Sequence, residues 1–118
     1  MPDNNYQFIN LDYLETISGG DRVTQQTILK ILCDDLETLF AQLQPLAVQG
    51  AWQSIAEVAH KLKSSLAFAG NDVLTTCNNE LLENTRLAKN LDKVPDLIQK
   101  MEKQTPLVLQ ELYIELAQ

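Results

Sequence analysis

AWQSIAEVAHKLKSSLAFAG, residues 51–70, sets Trp52, Ile55, Ala59, Leu62, Leu66 and Ala69 at alternating steps of three and four. That spacing lines apolar side chains along one stripe of an α-helix, as the seam of a helix bundle requires, whereas a strand repeats every two residues. Gly70 closes the segment and Gly50 closes the one before it, both able to take the left-handed conformation that ends many helices.

The same grammar extends in both directions. Upstream, NLDYLETI (10–17) suits a short helix stopped by Ser18-Gly19-Gly20, and Asp21 caps the next. From there Val23, Ile28, Leu29, Leu32, Leu36, Leu39, Phe40, Leu43, Leu46 and Ala47 form an apolar stripe on a long helix, which Pro45 should bend near its end. Downstream, Asn71 or Asp72 caps a fourth helix with Leu74, Cys77, Leu81, Ala88 and Leu91 on its inner face. A last helix from about Pro95 turns Leu97, Ile98, Met101, Val108, Leu112 and Leu116 inward, with a kink expected at Pro106. The expectation is an all-α fold: an antiparallel up-down four-helix bundle with a short N-terminal helix, monomeric, forming a single domain over 1–118. No repeat, low-complexity tract or linker interrupts it.

Composition agrees. A chain of 118 residues with 45% hydrophobic content can bury one core, and four Gly, four Pro and few aromatics argue against a sheet of short strands. Sixteen acidic against nine basic side chains give a net charge of −7, which repels phosphate backbones and anionic lipid, so neither nucleic acid nor membrane is an expected partner. Cys33 and Cys77 sit in Leu-rich helical patterns without C-x-x-C spacing and read as reduced core thiols. MPDNNYQF lacks the basic start and apolar run of a signal peptide, and no stretch approaches the ~20 apolar residues of a membrane span; a cytoplasmic location is expected.

His60 is the only histidine. At ~100° per residue it lies roughly 120° from the centre of the seam, so it faces solvent or the flank of the bundle. Ala56, Glu57, Lys63, Ser64, Ala67 and Asn71 fall within about 60° of it. Most are small, which suits close approach by another protein's backbone, and Lys63 at i+3 can meet an anion carried on the imidazole. A neutral imidazole offers a nitrogen lone pair to phosphorus. The chain has no Gly-rich phosphate loop, nucleotide site or Mg²⁺ carboxylate cluster, so it is not expected to make phosphohistidine from ATP or to hold a cofactor or metal of its own. Plainer readings exist. A lone helical histidine is commonly an ordinary surface residue. Glu57-Val-Ala-His60 fits half of a di-iron E-x-x-H site, but the second half needs another histidine. Lys61 reads as a solvated charge and Cys77 as a small core residue with no second histidine to activate it.

A-H-K-L-K-S-S-L-A-F-A-G, followed by Leu74, resembles the signature of histidine-containing phosphotransfer (HPt) domains of two-component phosphorelays, A-H-x-L-K-G-S-x-x-x-x-G and then Leu. Ala59, His60, Leu62, Lys63, Ser65, Gly70 and Leu74 match it. ISGGDRVTQQTIL is similar to the family's helix end, glycine pair and Asp start, so the likeness spans roughly residues 8–90. The resemblance implies a phosphocarrier rather than an enzyme. His60 would take a phosphoryl group from the aspartyl phosphate of a response-regulator receiver domain and pass it to another, in a relay that includes a hybrid histidine kinase. The receiver supplies Mg²⁺, and Lys63 neutralises the phosphoryl charge. Two positions depart from the family pattern. Ser64 stands where Gly is usual, and Leu82 stands where many members carry a Glu or Gln that orients the imidazole, leaving Asn79 or Glu83 as substitutes. The same stretch also resembles the histidine-kinase H-box, H-E-[LF]-[KR]-T-P-L. Lys61 replaces its catalytic acid and Ser65 its proline, and an H-box hairpin dimerises, whereas this chain has helices enough to close its own bundle. A non-catalytic helical interaction module is the third reading.

Overall fold

The structure, a computed structural model, describes residues 6–118. The first residues of MPDNNYQF, and so part of the leader reading and of the 1–118 domain span, lie outside the described residues. The elements are α1 (Asp12–Ser18), α2 (Arg22–Gln49), α3 (Trp52–Ala69), α4 (Asp72–Arg86), a 3₁₀ turn (Leu91–Lys93) and α5 (Val94–Leu116), with no strand among the described residues. The four long helices pack in chain order, α2 on α3, α3 on α4 and α4 on α5, and the ring closes where α5 meets α2. Gly50-Ala51 and Gly70-Asn71 are the whole of two connections, too short for anything but antiparallel neighbours. The result is a rod of 46 × 21 × 19 Å in which α3 and α5 lie diagonally opposite, with α1 against α2 and α3.

Leu29, Leu32, Leu36 and Leu43 of α2, Ile55, Leu62 and Leu66 of α3, Leu74 and Leu81 of α4, and Ile98, Met101, Val108 and Leu112 of α5 fill the centre. Burial of each such side chain stabilises by roughly 1.5–3 kcal/mol relative to exposure. Asp21 caps α2 by accepting from the Thr24 N–H at 3.1 Å. Asn71, rather than Asp72, caps α4, accepting from Leu74 N–H at 2.9 Å. Gly70 adopts φ +63°, and a Cβ there would lie 2.4 Å from the Asn10 carbonyl oxygen, because the irregular segment before α1 crosses this turn. That strap is held along its length. Asn10 N–H donates to the Ala69 carbonyl at 2.9 Å, and the Asn71 amide donates to the Phe8 carbonyl at 2.7 Å. Gln7 and Phe8 N–H groups donate to the Glu111 carboxylate at 3.0 and 2.6 Å, and Tyr6 O–H to Glu115 at 2.7 Å. Arg22 completes the group with a 2.9 Å ion pair to Glu115.

Some expected core positions are corrected. Val23 is 72% exposed because it lies about 200° around the helix from Gln25, which turns inward to donate to Ser18 Oγ at 3.1 Å. α4 ends at Arg86, so Ala88 is exposed at φ +52° and Leu91 is only half-buried in the 3₁₀ turn; Leu82, Asn84 and Thr85 continue the inner face of α4. Leu116, in the last turn of α5, is half-buried. α2 and α5 continue through Pro45 and Pro106 as single helices. Cys33 and Cys77 are buried and unpaired, and burial pushes the Cys33 thiol up to about 11 and raises that of Cys77. No helix among the described residues is long and apolar enough to cross a membrane.

Candidate functional site

α3 is continuous from Trp52 to Ala69, and its inner stripe fixes which residues are left outside. His60 lies at mid-helix with its side chain exposed, together with Glu57, Lys61, Lys63, Ser64 and Ala67. Among the described residues the imidazole makes no hydrogen bond or ion pair. The ion pairs there are Arg22–Glu115 and Lys89–Glu83, so the Lys63 ammonium, one turn beyond His60, is uncommitted. Such a face offers a nucleophilic nitrogen and a nearby cation to a ligand that arrives from outside. Among the described residues no group of three His, Cys, Asp or Glu side chains is placed to hold a metal ion.

Two residues expected on this face are not on it. Ala56 is 7% exposed and belongs to the core, because a helical wheel reports angle alone and a neighbouring helix closes over that flank of α3. Asn71, also 7% exposed, lies past Gly70, where α3 has ended and its wheel no longer applies; its side chain is spent on the α4 cap and the strap. The position expected to orient the imidazole is apolar and closed, with Leu82 only 8% exposed. Neither substitute reaches His60 by a hydrogen bond: Asn79 is exposed, and Glu83 pairs with Lys89 at 3.4 Å.

Beside His60 the sequence reading missed a groove between α2 and α3. Ile28, Ile31 and Leu32 form one wall and Ser64 and Phe68 the other. Its polar centre is Ser65, whose hydroxyl donates to Asp35 at 3.0 Å and pins the two helices together. Ile31 is 56% exposed, and the Phe68 ring leans on Tyr13 with centroids 5.2 Å apart. The signal was present: Ile31 stands off the apolar stripe of α2 and so has no place in the core. Asn78 was missed as well. It is 1% exposed on α4 and donates its amide N–H to the Ala59 carbonyl at 2.9 Å.

Charge is unevenly spread. Lys61 and Lys63 flank His60, whereas residues 31–49 of α2 and 104–118 carry Asp34, Asp35, Glu37, Glu111 and Glu115 without a single Lys or Arg.

Searches of curated proteins and of solved structures gave no match to the chain. The family model of the Hpt domain matches residues 27–118. Hpt domains are phosphocarriers rather than catalytic enzymes; they perform histidine phosphotransfer in two-component systems and interact with receiver domains. The matched span takes in most of α2 and all of α3, α4 and α5, with His60 on the open face of α3, and the chain belongs to the Hpt domain family.

Proposed function

We propose that this protein is a relay phosphocarrier in which His60 accepts a phosphoryl group from the aspartyl phosphate of one receiver domain and delivers it to another. The observation that carries this reading is the uncommitted, exposed imidazole at mid-α3 with the Lys63 ammonium one turn away. A lone pair on the ring, taken as that of Nε2, forms the N–P bond while the aspartyl O–P bond breaks and its electron pair stays on the carboxylate. Lys63 then faces the charge on the phosphohistidine. The phosphocarrier holds no metal in this scheme, and Mg²⁺ resides with the receiver. The receiver docks over Glu57, Ser64 and Ala67 and sets an apolar surface into the groove of Ile28, Ile31 and Phe68. Ser64, in the place of the family's usual glycine, keeps the approach nearly as open. The carrier works as a monomer, and a hybrid histidine kinase stands upstream. The H-box reading is disfavoured because the four long helices close a ring within the chain.

Labelled phosphate supplied on a phosphorylated receiver tests this. His60→Gln is expected to abolish labelling while holding stability within ~0.5 kcal/mol, since an exposed side chain away from caps and core moves stability little. Ala67→Trp should keep its helical spectrum and lose most transfer from the receiver, yet retain any labelling by phosphoramidate, because a bulky side chain displaces only the large donor. Undiminished labelling of the His60→Gln variant would reject the reading.

A further inference from the structure

We propose that Asn78 is a positioning residue for the phosphoacceptor turn, acting through the main chain of α3 rather than on the imidazole. The proposal rests on the phosphocarrier reading and adds to it the means by which α4 controls where His60 stands. The Ala59 carbonyl that receives the Asn78 amide N–H at 2.9 Å belongs to the peptide group whose nitrogen is that of His60. In an α-helix the same oxygen faces the N–H of the residue at i+4, which here is Lys63. One acceptor atom therefore joins α4 to both residues that handle the phosphoryl group.

The surroundings point the same way. No side chain of α4 hydrogen-bonds the imidazole, and Leu82 cannot. Asn78 is the residue that reaches this turn by a side-chain hydrogen bond, and it does so from a helix whose other inward positions include Leu74, Cys77, Leu81 and Leu82. Its Oδ1 is buried with no partner among the described residues. A half-satisfied buried amide costs stability that an apolar side chain of similar volume would not. An asparagine there is thus poorly explained by packing and well explained by the bond its Nδ2 makes. A receiver that presses on the outer face of α3 loads the helix from outside, and the bond from behind resists a roll of the His60 turn, which in-line transfer does not tolerate.

Stability and transfer are expected to part company in Asn78→Leu. The thermal midpoint stays level or rises, transfer from a phosphorylated receiver falls about tenfold, and labelling by phosphoramidate, which needs no docking geometry, stays within about twofold. The amide protons of His60 and Lys63 shift in the NMR spectrum and that of Lys63 exchanges faster. Asn78→Ala serves as the second variant should the leucine perturb packing, with the same split between donors. Receiver transfer at the parental rate in either folded variant overturns the proposal, as does an equal fall with both donors. His60→Gln separates the two levels: if it still labels, the phosphocarrier reading fails; if it does not and Asn78→Leu transfers normally, only the role of Asn78 fails.

Discussion

Along the outer face of α3 the side chains of Glu57, His60, Lys63 and Ser64 make no hydrogen bond to any described residue, while under the N-terminal strap Tyr6, Asn71, Glu111 and Glu115 and the N–H groups of Gln7, Phe8 and Asn10 are all engaged. The two regions lie on the same bundle and divide its work. Where polar groups are already bonded to one another, a substitution orphans a partner and the fold bears the cost. Where they are left open, the fold has little to lose and the cost falls on what the surface does.

The sharpest way to break that division is at Gly70. An alanine there combines a left-handed backbone with a Cβ 2.4 Å from the Asn10 carbonyl oxygen, in a strap hydrogen-bonded at Phe8 and at Asn10 itself. Gly70→Ala is expected to cost about 3 kcal/mol or more in chemical denaturation, with labelling of His60 unimpaired in the protein that remains folded. A loss below about 1 kcal/mol would mean that the strap yields, and that this end is not the rigid one. Lys63→Ala probes the opposite region. A partly exposed ammonium beside a phosphoryl group is worth on the order of 1 kcal/mol, so transfer or phosphohistidine lifetime should fall roughly five- to tenfold while the denaturation midpoint stays put. Unchanged rates and lifetime would remove the lysine from the mechanism.

A smaller effect, of the opposite sign, is expected where α4 gives way to the 3₁₀ turn. Ala88 holds φ +52° at the surface, so Ala88→Gly should gain about 0.5–1 kcal/mol without touching transfer. The smallest belongs to Asp21, whose carboxyl is held below its ordinary value by hydrogen bonds from the Thr24 side chain and then its backbone N–H. A depressed folded value means that this contribution is complete above the ordinary carboxylate range and is lost as pH falls through the lowered one. Asp21→Asn keeps the cap and should flatten that part of the acid-side stability curve; an unchanged curve would show that the cap contributes nothing to it.

Helix ends with a residue of special backbone freedom or a capping side chain were legible: Asp21, Gly50 and Gly70 each stop or start a helix where the sequence places them. The end of α4 was not, because Leu87-Ala88-Lys89 contains good helix formers and no Gly or Pro, and the left-handed turn at Ala88 is closed by a main-chain bond from the Lys89 N–H to the Asn84 carbonyl at 2.9 Å that no residue type announces. The outward placement of His60 and Lys63 followed from the period alone, since it depends only on where the seam lies. Ala56 failed because burial depends on what stands opposite, which the period of one helix does not contain. Asn78 and Asn79 are adjacent and alike in type, and only the approach of α3 to α4 separates a buried amide from an exposed one. The strap carries no periodic signal, so nothing in its composition foretold that Asn10 would lie over Gly70.

Lys61 and Lys63 stand beside His60, whereas residues 104–118, which include the end of the diagonally opposite helix α5, carry Glu111 and Glu115 without any Lys or Arg, so charge is uneven across the width of a molecule whose net charge is −7. An acidic surface therefore meets less repulsion beside the imidazole than at that end of α5. Screening over about 8 Å at physiological ionic strength confines this guidance to the last approach, where it acts as a torque on the incoming surface more than as a pull. On the phosphocarrier reading, collisions that begin misaligned are turned rather than wasted, and orientation is gained before any contact has formed.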